Sequence, residues 1–189
     1  MPPKKSPSTS TIYQLKISLK HIRPPIWRRI QVASNTTLEQ LHSIIQVAMG
    51  WYNCHLHSWN IGGVEYGQPA PEYGIDVKNE KNVKLNQVVP GEKFKFLYTY
   101  DFGDDWEHQI LVEKVLPADS KIKYPICITG KRACPPEDCG GAWGYAELLS
   151  IINNPDHPEY EERMDWLDES FDPNEFELEE INAGLEDII

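Results

Sequence analysis

The chain has no apolar run that approaches the roughly 20 residues a membrane-spanning helix needs. Residues 1–11 carry two lysines but no apolar stretch, so they do not form a secretory signal. These absences predict a cytoplasmic protein that makes no membrane contact. Acidic residues are absent from the first 38 positions, and only Arg163 is basic among the last 34.

Several motifs of common enzyme classes are also missing. The sequence contains no Walker A loop, no dinucleotide-type glycine fingerprint, no nucleophile elbow and no His-Glu-x-x-His pair. Their absence excludes the best-known nucleotide-binding, hydrolase and metalloprotease signatures. Whether the protein is an enzyme therefore stays open at this point.

The length of 189 residues fits one domain with a short terminal extension. Residues 1–11 are rich in Pro, Ser and Thr, a composition that predicts a disordered tail. Residues 12–189 are predicted to form a single domain. Its four cysteines are expected to be reduced thiols, since disulfides are rare without export.

The net charge of −11 is unevenly distributed. Seven basic residues lie before residue 39, and fourteen acidic residues lie in the predicted helical C-terminus, about residues 156–189. One interpretation is that the acids form solvated helix faces. The other is that the acidic end binds the basic end or a basic partner. Overall acidity favours a protein partner over nucleic acid.

Period-two alternation predicts strands at residues 13–20, 93–100 and 106–115, the last two joined by an Asp- and Gly-rich hairpin turn. Helical spacing predicts a helix over Leu38–Met49, begun by a Thr37/Gln40 capping box and ended by Gly50. Two segments, residues 65–82 and 117–144, are rich in Gly and Pro and are predicted to be irregular, the first as a long surface loop. Asp172, followed by Pro173, is the predicted N-cap of the last helix. Strands and helices are segregated along the chain. This order predicts an α+β fold, a mainly antiparallel sheet with one helix on a face and a helical C-terminal segment.

A first candidate site is a metal centre built from Cys and His residues. Cys134 and Cys139 have four residues between them in a Pro/Gly-rich loop, and His55 and His57 are predicted to share one strand face. Thiolates and imidazoles are the preferred ligands of zinc. A packed loop with free thiols, or a redox pair, fits the same cysteines.

A second candidate is the polar end of the hairpin, where Asp101, Asp104, Asp105 and His108 lie within eight residues. Carboxylates and an imidazole at this spacing suit a hard cation or acid/base chemistry. The alternative is structural, because Asp and Gly are also the usual residues of a turn. His108 lies on the face of Trp106 and Ile110, which predicts a partly buried, hydrogen-bonded ring.

A third candidate is an anion-binding patch formed by Arg23, Arg28 and Arg29 beside Trp27. Arginines beside an indole can hold a phosphate or a nucleic-acid backbone. The alternative is that these side chains lie on the solvated face of a strand and pair with acids.

Several motifs together resemble the Ri-plasmid ORF-three-like family. They are Arg-Pro-Pro-Ile-Trp-Arg-Arg at 23–29, Met-Gly-Trp at 49–51, His-Leu-His at 55–57, Tyr-Asp-Phe-Gly-Asp-Asp-Trp at 100–106 and Cys-Pro-Pro-Glu-Asp-Cys-Gly-Gly at 134–141. The resemblance covers nearly all the chain after the tail. It implies a compact α+β fold and no established activity. It also implies kinship with insertion-element passenger proteins, some of which carry a resolvase label.

Three functions follow as hypotheses. The first is a non-enzymatic binding or interaction domain in the cytoplasm. The second is a metal-dependent enzyme that uses the Cys/His or the Asp/His site. The third is a nucleic-acid accessory protein linked to mobile elements. Zinc is the cofactor that the second hypothesis predicts.

Overall fold

A computed structural model of the chain describes residues 11–167 and 171–188. The described residues form an eight-stranded sheet and five α-helices. The strands are β1 (Thr11–Leu19), β2 (Trp27–Ala33), β3 (His57–Ile61), β4 (Val64–Gly67), β5 (Lys78–Asn79), β6 (Lys95–Tyr100), β7 (Trp106–Pro117) and β8 (Ile126–Lys131). The helices are α1 (Leu38–Met49), α2 (Leu85–Val88), α3 (Gly141–Ile152), α4 (Tyr160–Trp166) and α5 (Leu178–Glu186). Apart from Thr11, the predicted tail lies outside the described residues.

The strand order is β5-β4-β3-β6-β7-β1-β2-β8. Every pair is antiparallel except β4 with β5. The prediction of an α+β fold with a mainly antiparallel sheet is therefore confirmed. The central strands β6, β7 and β1 alternate buried and half-exposed residues because one face of the sheet is covered and the other is open.

Helix α1 covers the buried face, as predicted. Thr37 accepts a hydrogen bond from the Gln40 amide, and the Gln40 side chain accepts one from the Thr37 amide, so both halves of the capping box are present. Gly50 ends the helix with a φ of 92°, which glycine adopts without strain. Arg28 of β2 donates its Nε to the Ala48 carbonyl at 2.7 Å, so the sheet supplies the cation that suits a helix C-terminus.

A buried hydrogen-bond network joins α1 to the sheet. The Gln46 amide donates to the Tyr98 hydroxyl at 3.0 Å, and that hydroxyl lies 2.7 Å from His42 Nδ1. His42 Nε2 lies 2.7 Å from the acceptor Oδ1 of Asn53, so Nε2 carries the proton and Nδ1 accepts from Tyr98. The His42 ring stacks on His57 with centroids 3.5 Å apart. The helix is thereby locked in one register over β3 and β6.

Two segments predicted to be irregular contain ordered structure. Residues 65–82 were expected to form a surface loop, but they include part of β4, all of β5 and Glu80, which is 1% exposed. Glu80 accepts hydrogen bonds from Trp59 Nε1 at 2.6 Å and from His57 Nε2 at 2.8 Å. Residues 117–144 include β8. Neither segment shows a long alternating pattern, because these strands are short and lie near the sheet edges.

The last helix begins later than the sequence predicts. Asp172 was expected to be its N-cap, but Asp172 instead accepts a hydrogen bond from the Asn174 amide in a turn, and α5 starts at Leu178. The ring of Phe176, which lies between Asp172 and α5 in sequence, packs against Gly130 of β8. A Cβ on Gly130 would overlap this ring, so the ring fills the space that a side chain at position 130 would otherwise occupy. Asn182 of α5 then bonds the backbone of Cys127, its Oδ1 accepting from the amide at 2.8 Å and its Nδ2 donating to the carbonyl at 2.9 Å.

The buried histidines predict a loss of stability in mild acid. Burial lowers the pKa of His42 to about 4, with the stacked His57 adding to the effect, and burial lowers the pKa of His108 to about 4. The unfolded chain therefore binds more protons between pH 6.5 and pH 4. The contribution of the two neutral histidines to the free energy of unfolding is fully present above pH 6.5. It falls as the pH drops through this window, by roughly 2 kcal/mol per histidine between pH 6.5 and pH 5.

Urea unfolding at pH 7 and pH 5 measures this loss, in a range above the titration of ordinary carboxylates. The variant His108→Phe removes a ring whose nitrogens bond no described residue, so it should lose about half of the pH dependence. An unchanged pH dependence in this variant would contradict the assignment.

Removal of the Tyr98 hydroxyl is expected to destabilise the fold. In Tyr98→Phe, Gln46 and His42 lose their shared partner inside the core, and an unsatisfied buried group costs about 1–3 kcal/mol. Urea unfolding at pH 7 measures the difference. Tyr73→Phe is the matched control because Tyr73 is 81% exposed. Equal stabilities of the two variants would refute a role for the network.

Candidate metal centre

Sheet geometry brings His55 beside Asp101. Strands β3 and β6 pair with His57 opposite Tyr100, and the Asp101 amide continues the ladder by donating to the Leu56 carbonyl at 2.8 Å. His55 precedes β3 and Asp101 follows β6, so both lie at the same end of the two strands. A third segment, the loop between β8 and α3, places Glu137 and Asp138 over this end.

The His55 Nε2 atom lies among three carboxylates. It is 3.2 Å from Asp138 Oδ1, 3.6 Å from Asp101 Oδ2 and 3.8 Å from Glu137 Oε2. Both His55 Nε2 and Glu137 Oε2 are buried, and neither makes a hydrogen bond with a described residue. A buried polar atom without a partner is costly, so this arrangement requires an explanation beyond packing.

Two of the carboxylates are held by their other oxygen. Glu137 Oε1 accepts from the Tyr100 hydroxyl at 3.0 Å and from the Tyr52 amide at 2.9 Å, which leaves Oε2 facing His55. Asp101 Oδ1 accepts from the Gly103 amide at 2.9 Å, which leaves Oδ2 facing His55. Burial raises the pKa of Tyr100, so its hydroxyl keeps the proton it donates. Partners of this kind orient metal ligands in proteins.

A hydrogen bond and two glycines fix the loop that carries Glu137 and Asp138. The Gly140 amide donates to Asp104 Oδ2 at 3.1 Å. Gly141 has a φ of 67°, and a Cβ there would overlap the Asp104 carbonyl. Only a residue without a side chain allows the loop to approach the hairpin turn this closely. The Gly-Gly pair thus positions the two acids.

Three non-glycine residues at the centre adopt a left-handed backbone. They are Asn53 with a φ of 56°, Asp101 with 56° and Asp138 with 55°. Asn and Asp tolerate this region better than other side chains, yet it still costs free energy. Such residues are often concentrated at functional sites. Here each one turns the backbone at a point where a segment enters or leaves the centre.

Cys54 extends the donor set. Ligand atoms of Cys54, His55 and Glu137 lie within 4.8 Å of one another, and so do those of His55, Asp101 and Asp138. The Cys54 amide donates to the Tyr100 hydroxyl at 3.0 Å, so the same tyrosine positions Cys54 and Glu137. His55 belongs to both groups and is the common element of the centre.

The predicted set of His55, His57, Cys134 and Cys139 is not brought together, which corrects the first candidate. Among the described residues, the groups of convergent metal-ligand atoms include His55 but none of the other three. The His57 ring points into the core, where it bonds Glu80. Burial raises the pKa of Cys134 and raises that of Cys139 to about 12.

The four hairpin residues have four different environments. Asp101 enters the centre, and Asp104 anchors the neighbouring loop through Gly140. Asp105 is exposed and bonds the Asp101 carbonyl through its amide. His108 is fully buried, and its ring lies close to the backbone of Trp106 and Tyr98. The hairpin acids therefore do not form one site, because Asp101 belongs to the centre whereas Asp104 holds the loop before α3.

The three arginines do not form a patch, because successive strand residues point to opposite faces. Arg28 is 3% exposed on the covered face, whereas Arg29 lies on the open face and makes a two-bonded pair with Glu113. Arg23 is exposed in the turn between β1 and β2. The three arginines therefore do not form the predicted anion-binding site. Arg29 instead pairs with an acid on the open face of the sheet, which is the alternative that the sequence also allowed.

The sequence analysis missed Glu137 and Asp138 as candidate ligands. The available signal was a pair of acids between Pro-Pro and Gly-Gly, a context that presents side chains from a tightly turned loop. What remained hidden was the partner of that loop, because the contact with Asp104 spans 36 positions of sequence.

Comparison with known proteins supports the family resemblance. A protein of Sinorhizobium fredii (strain NBRC 101917 / NGR234), named uncharacterized protein y4hQ, is 34% identical over 181 residues, which cover 95% of this chain and 93% of that protein. A crystal structure of MM3350 from Methanosarcina mazei Go1, titled a protein of unknown function, is 40% identical with a TM-score of 0.81. It covers 90% of this chain and 97% of the solved one.

These relatives indicate no specific function. Within the described residues, none of the helices has the length and apolar character required to cross a membrane. The model of the family described as plasmid pRiA4b ORF-3-like protein matches residues 11–180, so most of the chain, including every residue of the centre, falls within it. The chain therefore belongs to the plasmid pRiA4b ORF-3-like protein family.

Proposed function

We propose that this protein binds a divalent metal ion, and that the ion is Zn²⁺ held by His55, Asp101 and Asp138, with Glu137 as a fourth ligand once its side chain moves toward the ion. The observation that carries the proposal is the buried His55 Nε2, which has no hydrogen-bond partner among the described residues and faces three carboxylate oxygens. Three carboxylates around one point repel each other unless a cation lies between them. A metal ion satisfies the imidazole and the carboxylates together.

The spacing of the donor atoms fits a tetrahedral ion. Zinc lies about 2.0–2.2 Å from nitrogen and oxygen ligands, so the ligands of a tetrahedral site are about 3.4 Å apart. The distances from His55 Nε2 to the three oxygens, 3.2, 3.6 and 3.8 Å, bracket this value. The ligand atoms of His55, Asp101 and Asp138 lie within 4.8 Å of one another, whereas Glu137 converges with Cys54 and His55, so its carboxylate must shift to complete the tetrahedron. Direct hydrogen bonds between an imidazole and a carboxylate would be shorter than two of these distances.

The chemistry of the donors favours zinc over magnesium or calcium. Those hard cations prefer oxygen-only coordination, whereas zinc accepts nitrogen, oxygen and sulfur. The imidazole of His55 and the neighbouring Cys54 thiol both suit the softer ion. Tyr100, which bonds both Glu137 and the Cys54 amide, then acts as an orienting group outside the coordination shell.

Four protein ligands make this a binding site rather than a catalytic one, because catalytic zinc sites keep a position open. A metal-dependent enzyme is the second candidate. It is favoured by one observation, the 70% exposure of the Asp138 side chain against 11% for Glu137. An exposed ligand can be displaced by water or by a bound molecule, which would open the fourth position.

We also propose a cytoplasmic location and a protein or peptide partner. All four cysteines are free thiols, as expected of a reducing compartment. The acidic C-terminal segment repels nucleic acid, and the dispersal of Arg23, Arg28 and Arg29 removes the basic patch that a nucleic-acid accessory protein needs. The geometry therefore gives that third hypothesis no support.

The metal proposal predicts one tightly bound Zn²⁺ per chain. Calorimetric titration of metal-free protein, purified without a metal-affinity tag, should give a stoichiometry of about one. His55→Ala should weaken binding by more than about 100-fold, the upper end of effects seen for second-shell changes. Tyr100→Phe leaves all four ligands in place but removes one donor to Glu137, so a loss of about 10–100-fold is expected.

His21→Ala provides the matched control. His21 is also a histidine beside a carboxylate, 3.2 Å from Glu107, but its side chain is 65% exposed and no second acid contacts it among the described residues. Zinc binding should be unchanged in this variant. Equal affinity in wild type and His55→Ala, or binding of only Mg²⁺ or Ca²⁺, would eliminate the proposed site.

The docking of the loop predicts that Gly141→Ala also abolishes tight zinc binding. The new Cβ overlaps the Asp104 carbonyl, so the loop must move and take Glu137 and Asp138 with it. Gly74→Ala is the control, since Gly74 has a similar φ of 75° but open space around the added Cβ. Both variants carry the backbone strain, and only Gly141→Ala should lose zinc in the titration. Retention of affinity in Gly141→Ala would show that the loop does not carry ligands.

A further inference from the structure

A second feature is a cavity of about 690 Å³ beside the metal centre. It lies between the C-terminal end of α1, residues 133–137, residues 166–167 and residues 171–184. Its volume is within the range of small-molecule and peptide sites, roughly 300–1,000 Å³. Glu137 and Tyr52 line both the cavity and the proposed metal centre.

The lining of the cavity combines two kinds of surface. The walls are apolar, with Met49, Trp51, Pro136, Leu167 and Phe176 among them. The acids along the C-terminal side are Asp172, Glu175, Glu177 and Glu180, all exposed. None of the described lining residues is Ser, Thr, Asn, Gln or His.

The cavity lining also contains one buried, positively charged residue. The side chain of Arg28, only 3% exposed, belongs to the lining and lies under the Phe176 ring, with the guanidinium carbon 5.1 Å from the ring centroid. Its Nε donates to Ala48, and its Nη1 donates to the carbonyls of Trp27 and Lys131 at 3.1 and 3.2 Å. The Nη2 atom bonds no acceptor in residues 11–167 or 171–188.

Within residues 11–167 and 171–188, the positive charge of Arg28 has no carboxylate partner. No carboxylate of the described residues lies within 4.0 Å of the guanidinium, although Arg29 has Glu113 as its partner. Carbonyl dipoles and the C-terminal end of α1 offset part of the cost of burying this cation. A full negative charge at Nη2 would offset the rest, since buried charges are normally paired.

We propose that the cavity binds an apolar zwitterion, a free amino acid or a short peptide with both termini charged. The carboxylate of the ligand pairs with Arg28, its apolar side chains pack on the walls, and its ammonium group lies near the rim acids. The two opposite charges of the site select this class of ligand. Nucleotides and other polyanions are repelled by the four rim acids.

The inference is independent of the metal. Glu137 is held by Tyr52 and Tyr100 whether or not an ion is bound, and Arg28 belongs to a different strand from the metal ligands. Binding of the zwitterion should therefore survive in His55→Ala and in protein treated with a chelator. A failed metal titration leaves the prediction for the cavity unchanged.

The test is calorimetric titration of the full chain with four probes. They are leucine, trileucine, trileucine amide, which lacks the anionic end, and N-acetyl trileucine, which lacks the cationic end. Binding of leucine or of trileucine identifies the size of the ligand. For the probe that binds, loss of the carboxylate and loss of the ammonium group should each weaken affinity at least about tenfold, the effect of one charge-assisted contact.

Arg28→Gln should weaken binding of the free acid at least about tenfold while leaving the amide unaffected. Arg29→Gln is the matched control, because it removes the neighbouring arginine on the opposite face of the sheet. If Arg28→Gln does not fold, the affinities of the wild-type protein for the free acid and for the amide are sufficient to test the proposal. Absence of binding at millimolar ligand, or equal affinity for the acid and the amide, would overturn the proposal.

Discussion

The contact between the β6–β7 turn and the loop before α3 is the constraint on which the candidate centre depends. One hydrogen bond, from the Gly140 amide to Asp104, and one close approach, between Gly141 and the Asp104 carbonyl, hold the two loops together. The hairpin contributes Asp101 and the loop contributes Glu137 and Asp138. Without this contact Glu137 and Asp138 have no reason to lie near His55, whereas Asp101 is placed there by the pairing of β3 with β6.

The covered face of the sheet carries more polar groups than a minimal core requires. Glu80, His42, His57 and Arg28 are all buried, and each makes at least one hydrogen bond to a different segment of the chain. Apolar side chains of the same volume would fill this space at lower electrostatic cost. What the polar groups add is directionality, because a hydrogen bond fixes an angle and a register whereas apolar contact does not. Asn53 hydrogen-bonds His42 and Gln46 of α1, and it thereby fixes the position of the adjoining segment that carries Cys54 and His55.

Much of the fold could be read from local pattern. The capping box at Thr37 and the alternation in β1, β6 and β7 depend on residues that are neighbours in sequence, so they survive in the structure as predicted. The short edge strands carry too few residues to alternate visibly. The start of α5 was misplaced because Asp172-Pro173 has the chemistry of an N-cap but closes a turn of its own.

For the candidate centre, the sequence indicated some of the residues but not which of them lie together, and the reason is different. His55 and Asp101 each stood out, since unusual residues beside a strand end are visible in sequence. Their meeting depends on which strands are neighbours, and strand order is a property of the whole sheet. His57 has the same residue type and nearly the same position as His55, yet its ring faces Glu80. Residue type could not separate a ligand from a core histidine here, because the distinction lies in the partner.

The bond between Asn182 and Cys127 has a consequence for association between chains. Strand β8 ends the sheet order, and the backbone amide and carbonyl of Cys127 point away from β2 toward α5, where one asparagine side chain occupies both. Exposed strand edges pair readily with other chains. Residues near Asn182 on the same helix line the cavity, so any motion of α5 that widens the cavity also uncovers the edge. Molecules with a displaced α5 are thus primed for edge-to-edge pairing, and a ligand that holds the helix in place suppresses aggregation.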